Sequence, residues 1–285
     1  MKKESIYTGE VLPLPDPFMN WQNHPIGNHL YYSFRDTPYR KESFPSAMHY
    51  HEYYELVVFE QGEIDQLCES AVYALRTGDI VVEPPGQMHH SAVRSQATRY
   101  VRHVFYFYPE AFASFPGLLD FLERGPILTA GEPETLFTLL RQLDQALSRQ
   151  EPAANALVWG LLLQCFYQMS QATARQESPA KPGAPAAAKQ YIDKEYASIR
   201  TVSEIAAHFY YSREYLSRLF RTHYNITVAD YLRSRRILAA RPLLSKGIPP
   251  AEVCFQVGFG SLSAFNRAFK EETGMTPTEY KKIGK

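Results

Sequence analysis

The chain has little of several things. Only three cysteines occur in 285 residues, Cys68, Cys165 and Cys254, odd in number and far apart. They form neither a disulfide framework nor a zinc site and are read as buried free thiols. No apolar run approaches the ~20 residues that cross a bilayer. The start, MKKESIYTGEVLPLPDPF, has two lysines without the apolar core of a signal peptide behind them. No membrane partner is expected, and residence in the cytoplasm is the default. Net charge is missing too, since 30 basic residues balance 30 acidic ones.

That balance conceals two halves. From Pro185 onward there are 7 Lys and 9 Arg against 9 acidic residues, a net of +7; the remainder has 14 basic against 21 acidic residues, a net of −7. Opposed halves predict two domains with different partners, and a basic C-terminal half suits a polyanion such as double-stranded DNA. Between them, RQESPAKPGAPAAAK (175–189) is rich in proline, alanine and glycine and reads as a largely solvated linker.

Before the linker the texture changes once. Between Leu30 and about Pro109, short runs rich in Tyr, Val and Phe (LYYSFR, YYELVVFE, TRYVRHVFYFYP) are broken by Gly, Pro and acidic turns, the pattern of an all-β barrel or sandwich. From Glu134 to Arg175 the period becomes helical. Leu136, Leu139, Leu140, Leu143 and Leu147 form one stripe, and Val158, Leu161, Leu162, Cys165, Phe166 and Met169 another. Such stripes either cap the barrel or make a homodimer seam.

After the linker the chain repeats itself. TVSEIAAHFYYSREYLSRLFRTHYNITVADYL from Thr201 aligns with IPPAEVCFQVGFGSLSAFNRAFKEETGMTPTEY from Ile248. Phe209 matches Val257, Ser212 matches Ser261 with one extra turn residue, Arg218 matches Arg267, Phe220 matches Phe269 and Tyr231 matches Tyr280. Each unit is a helix–turn–helix. In the first, Ser212 caps a helix with Leu216, Leu219 and Phe220 inward and Arg213, Glu214, Ser217, Arg218 and Arg221 outward. In the second, Ser261 is the cap, Phe265 and Phe269 point inward, and Ser263, Asn266, Arg267 and Lys270 point outward. Arginine reads guanine or clamps phosphate, and serine and asparagine reach base edges or sugars. A connecting helix, YLRSRRILAARPLL, is expected to turn Leu232, Ile237 and Leu238 inward and three arginines outward.

This C-terminal part resembles the AraC/XylS-type transcription regulators over about the last hundred residues. VGFGSLSAFNRAFKEETGMTPTEY follows the family's Gly-Phe turn, Phe-x-x-x-Phe-Lys helix and Gly-x-Thr/Ser-Pro stop. The resemblance implies two recognition helices in adjacent major grooves. Glu214, Ser217 and Arg218 are the contact positions in the first, with Arg213 added from its place at the helix start. Leu262, Ser263, Asn266 and Arg267 are those in the second. It also implies RNA polymerase as a partner. Arg241-Pro242 departs from the family pattern and predicts an early end or kink of the connecting helix.

The strand region carries a second resemblance. HYHEYYELVVFEQG (49–62) fits the first cupin motif, H-x-H-x3-E-x6-G, and GDIVVEPPGQMH (78–89) fits the second. In metal-binding cupins the ligands are the positions matching His49, His51, Glu55 and His89. On a strand, alternation puts His49, His51, Tyr53 and Glu55 on one face. Imidazoles and a carboxylate suit a divalent transition metal without choosing among Zn, Fe, Mn, Ni and Cu. The same groups can instead hydrogen-bond a polar effector such as a sugar. On YVRHVFYFY either His103, Phe105 and Phe107 or Val104, Tyr106 and Tyr108 face inward; the first set is preferred, placing His103 and Phe105 in the ligand site.

The expected fold is thus α+β in two domains. A cupin-like, ligand-sensing β-barrel (1–132) is followed by a helical segment and candidate dimer interface (133–175), a linker (176–188) and an all-α tandem helix–turn–helix domain (189–285). The expected function is a ligand-responsive DNA-binding transcription regulator, not an enzyme, sensing a small metabolite, a sugar among the candidates. The alternatives are a metal-dependent cupin enzyme, such as a dioxygenase or sugar isomerase, fused to a DNA-binding tail, and a ligand-free activator whose barrel is filled by its own aromatics.

Overall fold

The computed structural model describes residues 24–27, 29–38, 48–51, 53–68, 71–94, 99–149, 154–175, 184–224 and 226–283. Apart from residues 46–48, the chain divides into two compact units, up to Pro179 and from Ala180 on.

Among its described residues the first unit holds ten strands: β1 His24–Pro25, β2 Leu30–Pro38, β3 Tyr54–Gln61, β4 Ile64–Cys68, β5 Ala71–Ala74, β6 Asp79–Glu83, β7 His89–Val93, β8 Arg99–Phe107, β9 Ile127–Thr129 and β10 Thr173–Ala174. Its two helices are α1 Pro133–Leu147 and α2 Ala154–Ser170. The strands make a seven-stranded sheet ordered β1-β2-β8-β3-β6-β9-β10 and a three-stranded sheet ordered β5-β4-β7. Among the described residues the two are not closed into one hydrogen-bonded barrel; an antiparallel bridge between His49 and His89 leads from the chain before β3 to the small sheet.

Three layers result. Leu56, Val58, Phe105 and Phe107 pack against Leu136, Leu140, Leu162 and Phe166 of the helices. On the other face Val57, Phe59, Val104 and Tyr106 pack against Ile64 and Cys68 of the small sheet. A sheet covered on both sides buries both faces, so β8 is buried from Tyr100 to Phe107. The turn from β3 to β4 needs Gly62, at φ 140°, because a Cβ there would lie 2.6 Å from the Arg99 carbonyl oxygen.

The second unit is all helical: α3 Ala184–Glu195, α4 Val202–His208, α5 Arg213–Tyr224, α6 Val228–Ser245, α7 Pro250–Gln256, α8 Leu262–Thr273 and α9 Pro277–Ile283. α3 begins inside the stretch whose composition reads as linker, since alanine is the strongest helix former and Ala186, Ala188 and Ile192 are buried; residues 176–183 lie outside the described residues. Side-chain oxygens start most later helices. Thr201 accepts from Glu204 N, Ser212 from Tyr215 N, Thr227 from Asp230 N and Ser261 from Ala264 N.

Two expectations for α6 are corrected. Pro242 does not end the helix early, since it runs on to Ser245. The proline lies in the last turn, where it removes one backbone bond, while Leu244 is locked in a core with Val253, Cys254 and Phe265. Nor do all three arginines point outward. Arg235 pairs with Asp193 at 2.8 Å, and Arg236 donates to the carbonyls of Tyr196 and Ile199. Asp193 also accepts from Lys189 and Tyr231, so this basic cluster holds α3 against α6.

Candidate functional site

In the first unit the cupin-motif residues converge, though not by strand alternation. β3 starts only at Tyr54, and His49, His51 and Tyr53 precede it in irregular chain tied to β7 by the His49–His89 bridge. Donor atoms of His49, Glu55 and His89 lie within 4.8 Å of one another. The Glu55 carboxylate is 3.0 Å from His51 Nε2 and 3.3 Å from His89 Nε2. His51 thereby backs Glu55, and its Nδ1 is 2.7 Å from the Tyr53 carbonyl. Burial opposes ionisation of Glu55, but hydrogen bonds from the two imidazoles outweigh it and hold the carboxyl well below the usual range. Burial lowers the His51 pKa. Burial also acts to lower that of His89, yet the Glu83 and Glu55 carboxylates push it up to about 9.

Around this cluster runs a buried polar chain. Glu83 accepts from Gln66 Nε2 at 2.8 Å and from the Cys68 thiol at 3.1 Å, and burial pushes its carboxyl up to about 7. Ser91 donates to Gln66 Oε1. Tyr53 stacks on His51 with ring centroids 4.2 Å apart. Its buried hydroxyl has no hydrogen-bond partner among the described residues. Such a constellation can ligate a cation or hydrogen-bond a small polar molecule.

Two sequence-derived members are corrected. His103 and Phe105 lie on the opposite face of β8, under the helices. His103 Nδ1 is 2.8 Å from the Tyr32 hydroxyl, and its Nε2 is 3.2 Å from Glu60, which also accepts from Arg141 of α1 at 2.7 Å. Phe105 packs edge-on to Phe166 of α2 at 5.4 Å. The residues of β8 that face the interior are Tyr100, Arg102, Val104 and Tyr106.

In the second unit α5 and α8 repeat one design. Leu216 and Phe220 of α5 are buried, as are Phe265 and Phe269 of α8. On the opposite faces Arg213, Glu214, Arg218 and Arg221 are exposed with Ser217 half-buried, and Ser261, Leu262, Ser263, Asn266, Arg267 and Lys270 are exposed. The Arg218 guanidinium lies 5.8 Å from the Tyr215 ring centroid.

Residues 205–283 match the model of a helix-turn-helix domain family, and residues 33–166 match that of the AraC-like ligand binding domain. The chain is 29% identical over 216 residues, 73% of either chain, to the arabinose operon regulatory protein of Escherichia coli (strain K12). It is 24% identical over 258 residues, 85% of this chain and 81% of the other, to the HTH-type transcriptional regulator YfiF of Bacillus subtilis (strain 168). This chain belongs to the AraC family. It is a ligand-responsive DNA-binding transcription regulator, with the ligand-binding domain first and the helix–turn–helix domain last. The crystal structure of ToxT from Vibrio cholerae O395 aligns at 14% identity over 90% of this chain and 98% of that one, with a TM-score of 0.36. In this AraC-family chain no helix among the described residues is long and apolar enough to cross a membrane.

Sequence reasoning missed Arg35, Tyr100 and Arg102 in the ligand-binding domain and set Tyr106 in the less favoured of its two inward-facing sets. The signal was present. Alternate residues of β8 form one set that is apolar apart from His103 (Val101, His103, Phe105, Phe107) and one set tipped with polar groups (Tyr100, Arg102, Val104, Tyr106, Tyr108). The first suits helices and the second suits a polar interior.

Proposed function

We propose that α5 and α8 are the recognition helices of this regulator, entering adjacent major grooves on one face of double-stranded DNA. The observation that carries the reading is the repeated pair of faces: the same serine cap, the same inward pair and a matching exposed arginine, Arg218 and Arg267. Arg213, Glu214, Ser217 and Arg221 on one helix and Leu262, Ser263, Asn266 and Lys270 on the other supply further base, sugar and phosphate contacts. A mobility-shift titration tests this. Arg218→Ala and Arg267→Ala should each weaken binding by about 1–3 kcal/mol, roughly 5- to 150-fold, without a change in helix content. Unchanged affinity in both would refute the assignment.

The interior between the two sheets is read as the effector site, with His49, His51, Tyr53, Glu55 and His89 as contacts. A polyhydroxylated effector suits these donors and acceptors, and a relative regulating an arabinose operon supports a sugar-like molecule. Coupling to DNA binding requires the effector to bind one arrangement of the protein more tightly than another. This role is sensing and not catalysis, exercised in the cytoplasm, with RNA polymerase as the further partner. A second reading rests on the donor set. His49, Glu55 and His89 fit a divalent transition metal, which would supply a Lewis-acidic anchor for effector oxygens, with His51 orienting Glu55. Leu157 and Tyr167, exposed on α2 at 43% and 58%, support a homodimer through that helix.

A further inference from the structure

Counted from their capping serines, Ser212 and Ser261, α5 and α8 correspond position by position. Both bury the fourth and eighth residues after the cap, Leu216 with Phe220 and Phe265 with Phe269. Both expose an arginine at the sixth, Arg218 and Arg267. The second, fifth and sixth positions share one helix face, and on that face the two units differ. The second position is Glu214 on α5 and Ser263 on α8. The fifth is Ser217 on α5, half-buried, and Asn266 on α8, exposed. The first position, beside that face, is Arg213 on α5 and Leu262 on α8, the leucine 38% exposed.

In the major groove each base is told apart by its pattern of donors and acceptors. A guanidinium fits the two acceptors of guanine, so Arg218 and Arg267 give both units the same preference. Glu214 differs in kind. A carboxylate on a face turned to DNA is repelled by the phosphates and by base edges that carry acceptors. Cytosine offers a donor alone, its N4 amino group, and is the base that offsets this repulsion. Asn266 is matched to adenine, whose N6 amino group and N7 take the amide oxygen and nitrogen together. Leu262 has no polar group and suits the methyl of thymine. Serine accepts either kind of base edge, so Ser217 and Ser263 add little discrimination.

We propose that the operator is a tandem of two unlike elements. In one, α5 reads a guanine with Arg218 and a cytosine with Glu214. In the other, α8 reads a guanine with Arg267 and an adenine with Asn266, with a thymine methyl against Leu262. This rests on the reading of α5 and α8 as recognition helices and adds which side chains discriminate between bases. Glu214 determines specificity in the first element and Asn266 in the second; the shared arginines alone would make the two elements alike.

The test is selection of bound sequences from a randomised duplex pool by the full chain. Mobility-shift titration of single-base variants of the selected sequence follows, with wild type, Glu214→Ser and Asn266→Ser. Both substitutions fall at exposed positions and install the serine that the other unit carries at the same place. Wild type should select two unlike elements, and a wrong base at the cytosine or the adenine should cost about 5-fold or more in affinity. Glu214→Ser should flatten the cytosine preference alone and raise affinity for unselected DNA, because a negative charge leaves the interface. A merely structural role would lower affinity for both kinds of DNA. Asn266→Ser should flatten the adenine preference alone. Selection of no sequence or of two identical elements would overturn the proposal, as would variants that keep the wild-type preference at both positions. Arg218→Ala and Arg267→Ala binding as tightly as wild type would overturn the recognition-helix reading and this proposal with it.

Discussion

The two helix–turn–helix repeats contain an internal control on backbone strain. Both first helices end the same way. Tyr210 N–H bonds to the Ala207 carbonyl and Tyr211 N–H to that of Ala206; Gly258 N–H bonds to Phe255 and Phe259 N–H to Cys254. Each is a left-handed stop with one residue at positive φ. In the second repeat that residue is Gly258, at φ 90°; in the first it is Tyr210, at φ 57°. Tyrosine there costs about 1–2 kcal/mol in backbone conformation. Tyr210 is 97% exposed, so it returns no packing. Tyr210→Gly removes the strain but adds unfolded-state entropy worth roughly 0.5–1 kcal/mol, for a net stabilisation of about 0.5–1 kcal/mol. At about 4–8 °C per kcal/mol for a domain of this size, the midpoint should rise by about 2–8 °C. Gly258→Ala should do the reverse and by more. Its Cβ would meet the Ala197 carbonyl oxygen at 2.5 Å and the Ala197 Cα at 2.9 Å, backbone atoms that have no rotamer to change. With strain and overlap together the loss is about 2 kcal/mol or greater.

The assay separates the domains because both tryptophans, Trp21 and Trp159, lie in the first half of the chain. Tryptophan fluorescence follows the ligand-binding domain, and loss of far-ultraviolet helical dichroism without a fluorescence change follows the DNA-binding domain. A Tyr210→Gly variant that melts lower than wild type would refute the strain argument. So would a Gly258→Ala variant that melts unchanged.

Other expectations can be checked at the bench. Glu60, bonded to His103 and Arg141, has its carboxyl lowered to about 2 by those partners, against burial, which raises it. A depressed carboxyl contributes stability that is complete above the unfolded value near 4.5 and is lost as pH falls toward 2. Discounted for its partial exposure, the contribution is about 1–2 kcal/mol; the gap in urea midpoint between wild type and Glu60→Gln should therefore narrow as pH falls from about 4.5 toward 2, and parallel curves would contradict this. Protein prepared without a nickel column should carry near-stoichiometric transition metal that Glu55→Ala loses, while effector-free DNA affinity stays the same. Elemental analysis showing only trace metal in wild type would remove the metal reading. Leu157→Glu should shift the chain toward monomer in sedimentation velocity; an unchanged distribution would place any dimer seam elsewhere.

What could be read from the sequence followed how locally each element is determined. The tandem helices were legible because caps, inward pairs and outward arginines sit within one or two turns of each other, so residue spacing alone orders them. The same local logic hid a further repeat: Thr227 with Asp230 and Thr276 with Glu279 open α6 and α9 alike, each threonine oxygen accepting from the third residue on. The sheet was harder. β8 is buried on both faces, so alternation says that two sets exist, and only the difference in their polarity hints at which one faces the helices. Register with β2, a contact across some seventy residues, decides it. That contact is also what sets Arg35 against Arg102, a pairing no local pattern announces.

Net charge was informative for a different reason than its size. Part of the +7 of the second half is internal, since Lys189, Arg235 and Arg236 fasten α3 to α6. The charge proposed to meet DNA is carried by fewer, exposed groups such as Arg218 and Arg267; phosphate contacts there would release counterions and make affinity fall steeply with salt. The first half is the inverse case: acidic overall, it buries arginines such as Arg35 and Arg102. On this proposal DNA is held by an exposed field that salt screens, and an effector in the first domain's dry interior by short-range contacts that salt leaves in place.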